Sequence, residues 1–196
     1  MEGLRRDADD ACRSPTAKAE PSPDRRKVYP HRAHVVGVRC AERNGVRMEI
    51  VTTRFGTLNV DDERVIDFPK GLLGFPERTR YALIQTGEEN YFFWLQCVDE
   101  PSLAFVVTDP SIFFKEYEVP IKDETQAELA LTDLNFAQVF VICNKVDDWL
   151  TGNLLGPIVV NAQNRTGQQV VLTDKKWTTR QPLMRLQAQV PLAKSA

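Results

Sequence analysis

The sequence predicts an all-β domain, mainly antiparallel and barrel-like, preceded by a basic leader. Three observations lead there. From Met48 onward, runs rich in β-branched and aromatic residues recur at intervals of about 8–15 residues, separated by Gly, Pro and Asp. Helical patterning is confined to one short stretch, and the βα alternation of a parallel-sheet enzyme is absent. Composition also changes abruptly at Met48. Residues 1–47 carry 11 Lys/Arg against 7 Asp/Glu, a net of +4, whereas residues 48–196 carry 14 against 20, a net of -6. All 10 Phe and all 3 Trp follow Met48, and both histidines, His31 and His34, precede it.

The elements follow from local chemistry. The leader is rich in Arg, Asp, Ala and Pro, holds no Phe, Ile or Trp, and is expected to be disordered because it buries too little apolar surface. Val35–Val38 is its one candidate for a transient strand. In the domain, Glu49–Thr53 and Thr57–Val60 flank Phe55-Gly56 as a hairpin. Strands are then expected at Arg64–Phe68, Arg80–Thr86, Tyr91–Val98, Leu103–Thr108, Gln138–Asn144, Leu155–Asn161 and Gln168–Thr173. A turn is expected at Ser111–Lys115 and a short helix near Lys122–Leu129. In Tyr91–Trp94, strand alternation sets Phe92 and Trp94 on one face and Tyr91 and Phe93 on the other, so one pair belongs to the core. Cys97 and Cys143 lie in apolar runs and read as small buried hydrophobes.

The same residues argue against several classes. The longest apolar runs, Val139–Cys143 and Leu154–Val160, are far short of the roughly 20 residues a membrane helix needs. The start has no apolar core of a secretion signal, so a cytoplasmic location is expected. Four widely spaced cysteines with no CxxC pair argue against a disulfide framework or a zinc site. After Met48 there is no histidine, which removes the usual general base and metal ligand. The paired acids at Asp61/Asp62, Glu88/Glu89, Asp99/Glu100, Asp123/Glu124 and Asp147/Asp148 each fall in an expected turn, where they solvate a loop. No catalytic site, cofactor or metal is therefore expected. A domain of this charge repels phosphates, so direct nucleic-acid binding is disfavoured and a basic protein partner is favoured. The alternative is an RNA- or ligand-binding β-barrel that uses the basic leader around Arg25, Arg26, Lys27 and Arg32.

Particular segments carry more than composition does. They are Met48–Gly56 (MEIVTTRFG), Phe68–Pro76 (FPKGLLGFP), Phe93–Gln96 (FWLQ), Leu103–Val107 leading to Asp109-Pro110, Gly152–Asn161 (GNLLGPIVVN) and Gly167–Leu172 (GQQVVL). In this order the chain resembles the bacterial flagellar assembly factor family FliW, from about Met48 to Leu172. The resemblance implies a small β-barrel-like cytoplasmic protein, monomeric and without catalysis. It also implies two alternative partners, the translational repressor CsrA and flagellin. Binding CsrA would relieve repression of flagellin mRNA, and binding flagellin would make the factor unavailable. Met48 falls where family members usually begin, so the leader reads as a lineage-specific extension or as the product of an upstream start codon. The tail beyond Thr173, with Trp177 and Pro182–Met184, is poorly covered by the resemblance.

Within these segments, Gly71 and Gly74 are expected to supply positive φ in a tight turn, leaving Phe75 either capping the barrel or exposed. Pro157 suits a strand edge or first position, and Asn153 and Asn161 are expected to bond turn backbone. Charge clustering in loops, and not the resemblance, nominates the partner surface. It comprises Asp99, Glu100, Glu116, Tyr117, Glu118, Asp123 and Glu124, with Phe75 and Glu77 as a second patch. Tyr117, flanked by two acids, is expected to be an exposed aromatic anchor.

Overall fold

The computed structural model describes residues 27–28, 47–85 and 91–186. Among them the strands are β1 (Lys27–Val28), β2 (Arg47–Thr52), β3 (Gly56–Asp61), β4 (Val65–Asp67), β5 (Arg80–Ile84), β6 (Phe92–Cys97), β7 (Ala104–Thr108) and β8 (Pro120–Ile121). The single helix α1 (Asp123–Glu128) precedes β9 (Ala137–Val146), β10 (Trp149–Gly152), β11 (Ile158–Asn161), β12 (Thr166–Gln169) and β13 (Gln181–Arg185). No helix among these residues is long and apolar enough to cross a membrane.

Seven strands close into a ring in the order β11-β12-β4-β5-β6-β7-β9, with β9 returning to β11. All pairings in the ring are antiparallel except β12–β4, a parallel contact made by the single pair Thr166–Asp67. β9 organises the closure. Its first residues pair with β11 (Phe140 opposite Ile158), its last with β10 (Cys143 opposite Gly152), and its other edge with β7. β13 extends the sheet beyond β10, and the β2–β3 hairpin packs separately through Ile50 and Val60 against Ala82.

Two cores lie on opposite faces of β9 and β11. Inside the barrel, Phe140, Ile158 and Val160 join Ile66, Phe68, Tyr81, Leu95 and Val107. Outside it, Val139, Val141 and Val159 are covered by a layer holding Tyr117, Val119, Ile121, Leu129, Leu172 and Trp177. Burial on both faces explains why these strands read as unbroken apolar runs instead of alternating ones. Cys97 and Cys143 are buried and free, as expected, and burial pushes the Cys143 thiol up to about 12. Of the aromatic run, Phe93 is core, Phe92 and Trp94 are half-buried, and Tyr91 is exposed.

The structure corrects two expectations, on Tyr117 and on the leader. Tyr117 is not a surface anchor: it is 3% exposed, stacks on Trp177, and its hydroxyl donates to the Leu154 carbonyl at 2.7 Å. The cause is a two-residue alternation in which Tyr117, Val119 and Ile121 turn inward while Glu116 and Glu118 turn out. In the tail past Thr173, Trp177 seals the outer core against Phe114 and Tyr117, and β13 pairs with β10. In the leader, Lys27–Val28 pairs antiparallel with β8. The rest of the leader, including Val35–Val38, and the turn at Gly87 lie outside the described residues.

Replacing Tyr117 by Phe keeps the ring and strands the buried Leu154 carbonyl. We expect a loss of about 1–2 kcal/mol in urea unfolding with an unchanged m-value; an unchanged midpoint would show that this bond adds no stability.

Candidate functional site

The nominated acids fall into two groups, joined by the loop from Phe68 to Thr79. The first group sits on the β6–β7 turn. Gln96, fully buried, points its amide nitrogen into that turn toward the carbonyls of Glu100 (3.2 Å), Pro101 (3.3 Å) and Leu103 (3.0 Å). Asp99 and Glu100 are thereby held at the surface, where each meets an arginine: Asp99 with Arg80 at 2.6 Å and Glu100 with Arg78 at 3.2 Å. Their charge is matched locally, so this end of the barrel presents ion pairs in place of a bare acidic patch.

The second group borders a groove of about 1050 Å³ between the segment leading into α1 and the chain that follows β12. Glu118, Asp123, Glu124, Glu128 and Asp174 line it, against Lys70, Lys122 and Lys175. Glu116 stands nearby, 3.8 Å from Lys176. Sequence reasoning missed Glu128 and Asp174, whose contribution depends on long-range packing. Lys70 donates to Glu128 at 2.6 Å, and this contact, helped by the Gln168 side chain, holds the Glu128 carboxyl below the usual glutamate range.

The connecting loop is closed across its base and tied near its middle. Phe68 N–H donates to Thr79 O at 2.6 Å, and Leu73 N–H donates to the Gln169 side chain at 3.0 Å. Between these ties the backbone turns through Gly71 (φ +63°) and Gly74 (φ +88°), as the two-glycine spacing predicts. Gly71 is also crowded, since a Cβ there would lie 2.4 Å from Phe75 O, whereas Gly74 faces open space. The loop displays Leu73 at 59% exposure and Phe75 at 37%, with the Phe75 ring set edge-on against Phe105. Phe75 is thus both a cap on the barrel and a surface group, and Glu77 beside it is exposed. Lys70 reaches the groove, Arg78 reaches Glu100, and Leu73 and Phe75 lie between.

A family model described as FliW protein matches residues 49–183. The chain belongs to the FliW family. It is 41% identical over 140 residues to the flagellar assembly factor FliW of Magnetococcus marinus, covering 70% of this chain and 85% of that one. The flagellar assembly factor FliW of Treponema denticola is 38% identical over 141 residues, 70% of this chain and 94% of that one. A crystal structure of a flagellar assembly factor FliW superposes with a TM-score of 0.64 at 32% identity, over 73% of this chain and all of that one. The FliW match runs eleven residues past Leu172 and ends within β13, which corrects the shorter extent expected from the sequence motifs.

Other residues of the FliW signature are architectural. Asn161 is buried and its side chain donates to the carbonyls of Leu129 (3.0 Å) and Ala130 (3.2 Å) while accepting from Gln163 N–H (2.9 Å). Pro157, expected at a strand edge or first position, lies one residue before β11, and its carbonyl accepts from Val170 N–H. Asn153 departs from expectation. Its backbone N–H bonds Ile142 O, but its side-chain Oδ1 is buried without a partner, and Gly156 makes room for its amide.

Two outcomes follow from this geometry. Gly74→Ala meets only left-handed strain, about 1–2 kcal/mol, whereas Gly71→Ala must also displace the Phe75–Pro76 backbone; thermal unfolding should rank Gly71→Ala as clearly worse. The Lys70–Glu128 contact lowers the folded carboxyl pKa, so its stabilisation is present above the unfolded value of about 4.3 and is lost as pH falls through the folded value. An NMR titration should show the Glu128 carboxyl rising to its ordinary value in Lys70→Met and staying low in the parent.

Proposed function

We propose that this chain is a cytoplasmic, monomeric partner switch that binds CsrA, antagonises its repression of flagellin mRNA, and alternatively binds flagellin. Family membership makes it a flagellar assembly factor, and the two partners are the reading that its residues support best. The observation that carries this reading is the groove with five carboxylates against three lysines, on a domain of net charge -6. A small basic repressor is attracted to such a surface, and charge complementarity acts on encounter rate and on discrimination against acidic competitors. Leu73 and Phe75 supply what charge alone does not, an apolar centre to be desolvated on docking. Antagonism of RNA binding then requires only a coupling free energy between the docking surface and the RNA surface of CsrA.

The acids around Glu116 and Glu118 remain in this surface even though Tyr117 has left it, because both side chains point outward. Asp99 and Glu100, each paired with an arginine, are expected to matter less. Calorimetric titration into CsrA should show Glu116→Lys with Glu118→Lys weakening binding at least several-fold, and Asp99→Asn changing it little. Equal affinities for all three proteins, with circular dichroism unchanged, would remove the acidic groove from the docking surface. Repeating the titration with flagellin already bound should abolish CsrA binding if the partners alternate.

A further inference from the structure

The groove is bounded by the strand β8 on one side and by β12 with the extended chain that follows it on the other. On one wall, the chain beyond β12 donates Val170 N–H to Pro157 O and Leu172 N–H to Leu155 O. The intervening Val171 and Thr173 turn their backbone the other way, toward the groove, and among the described residues neither amide makes a hydrogen bond. β4 does not cover this edge, because its one pairing with β12 ends at Thr166–Asp67. Val171 is also 66% exposed, the most exposed large apolar residue described. Such an edge is a template for a further strand.

On the other wall that addition has already occurred. Lys27 pairs with Ile121 and Val28 with Pro120, antiparallel, so two residues of the chain's own leader form a strand on β8. Pro120 has no N–H to give, which makes Lys27–Ile121 the pair that exchanges both hydrogen bonds. This strand lies outside the family match, which begins at residue 49. Its sequence neighbourhood, Arg25-Arg26-Lys27, is basic, and the groove it borders has more carboxylates than lysines. Eighteen residues separate Val28 from Arg47, and a connection of that length holds an intramolecular ligand at an effective concentration of roughly millimolar.

We propose that the groove is a strand-addition site whose resident occupant is the chain's own basic leader, centred on Lys27–Val28. Pairing to β8 holds the leader and the acidic lining attracts its basic residues, and it is displaceable because, among the described residues, two residue pairs hold it. It therefore competes in cis with any extended basic segment offered to the same place. Occupancy stands on the pairing and the charge, whereas the competition rests on the partner reading given above.

The test uses the full chain and a synthetic peptide of residues 23–32. Lys27→Pro removes the N–H that Lys27 gives to Ile121, and Lys27→Ala removes only the charge. By calorimetry the peptide should bind Lys27→Pro at least tenfold more tightly than the parent, with Lys27→Ala closer to the parent. Binding to Lys27→Pro should weaken with added salt and with Asp174→Lys, and the Ile121 amide should lose hydrogen-exchange protection in Lys27→Pro alone. Equal peptide affinity for parent and Lys27→Pro, or no binding to either, would overturn the proposal. CsrA supplies the separating arm. Tighter CsrA binding by Lys27→Pro supports competition, and equal binding to both refutes it while leaving partner binding intact. If CsrA binds neither protein but the peptide pattern holds, partner binding fails and groove occupancy stands.

Discussion

The fold depends on one strand being shared by three others. β9 pairs along one edge with β7 and along the other first with β11 and then with β10. Its two partners on that edge are consecutive in the chain, so the polypeptide must leave the sheet at Gly152 and return at Ile158. The excursion is pinned rather than free. Leu154 N–H bonds Thr178 O, the Leu154 carbonyl accepts from Tyr117, and the Asn153 N–H returns to Ile142 O. Barrel closure and outer layer are therefore one problem, because Leu154, in the link between β10 and β11, packs in the same core as Tyr117 and Trp177.

Much of this was legible in the sequence. The expected strands from Glu49 to Asn161 have counterparts, the one expected at Gln168–Thr173 shares only Gln168 and Gln169 with β12, and the short helix near Lys122–Leu129 is α1. The hydrophobic runs Val139–Cys143 and Leu154–Val160 were conspicuous because both of their faces are buried, and that same feature hid which residues belong to which core. Three things were less visible. β10 and β13 are short strands whose Trp149 and Met184 remain exposed, so they lack the alternation that marks a half-buried strand. Tyr117 reads as a surface residue in sequence because its flanking acids mask the period-two pattern of Tyr117, Val119 and Ile121. The pairing of Asp99 and Glu100 with arginines on β5 and in the preceding loop depends on register, which composition does not carry.

Charge has two distinct structural uses in this domain. On the β6–β7 turn, acids and arginines are matched one to one, and the pairs fasten the long loop to the turn. Around the groove, Lys70 pairs with Glu128, and the lining as a whole holds five carboxylates against three lysines. A net charge for the whole domain averages over these two situations. The distinction explains why adjacent acids in two loops, alike in sequence, are not equivalent as a surface for a basic partner.

The junction of β4 with β12 is held by one parallel pair and by a ring. Phe68, wholly buried, lies so close to Gly167 that a Cβ there would stand 2.5 Å from it. A closure made by packing more than by a ladder is the natural place for the ring of strands to part. The strand on its far side is the one whose free edge walls the groove. Whatever fills that groove adds cohesion beside the weakest closure, so occupancy and barrel integrity are thermodynamically linked. The protein is then firmer when engaged than when empty, and its resistance to unfolding reports, at a distance from any partner, whether the groove is in use.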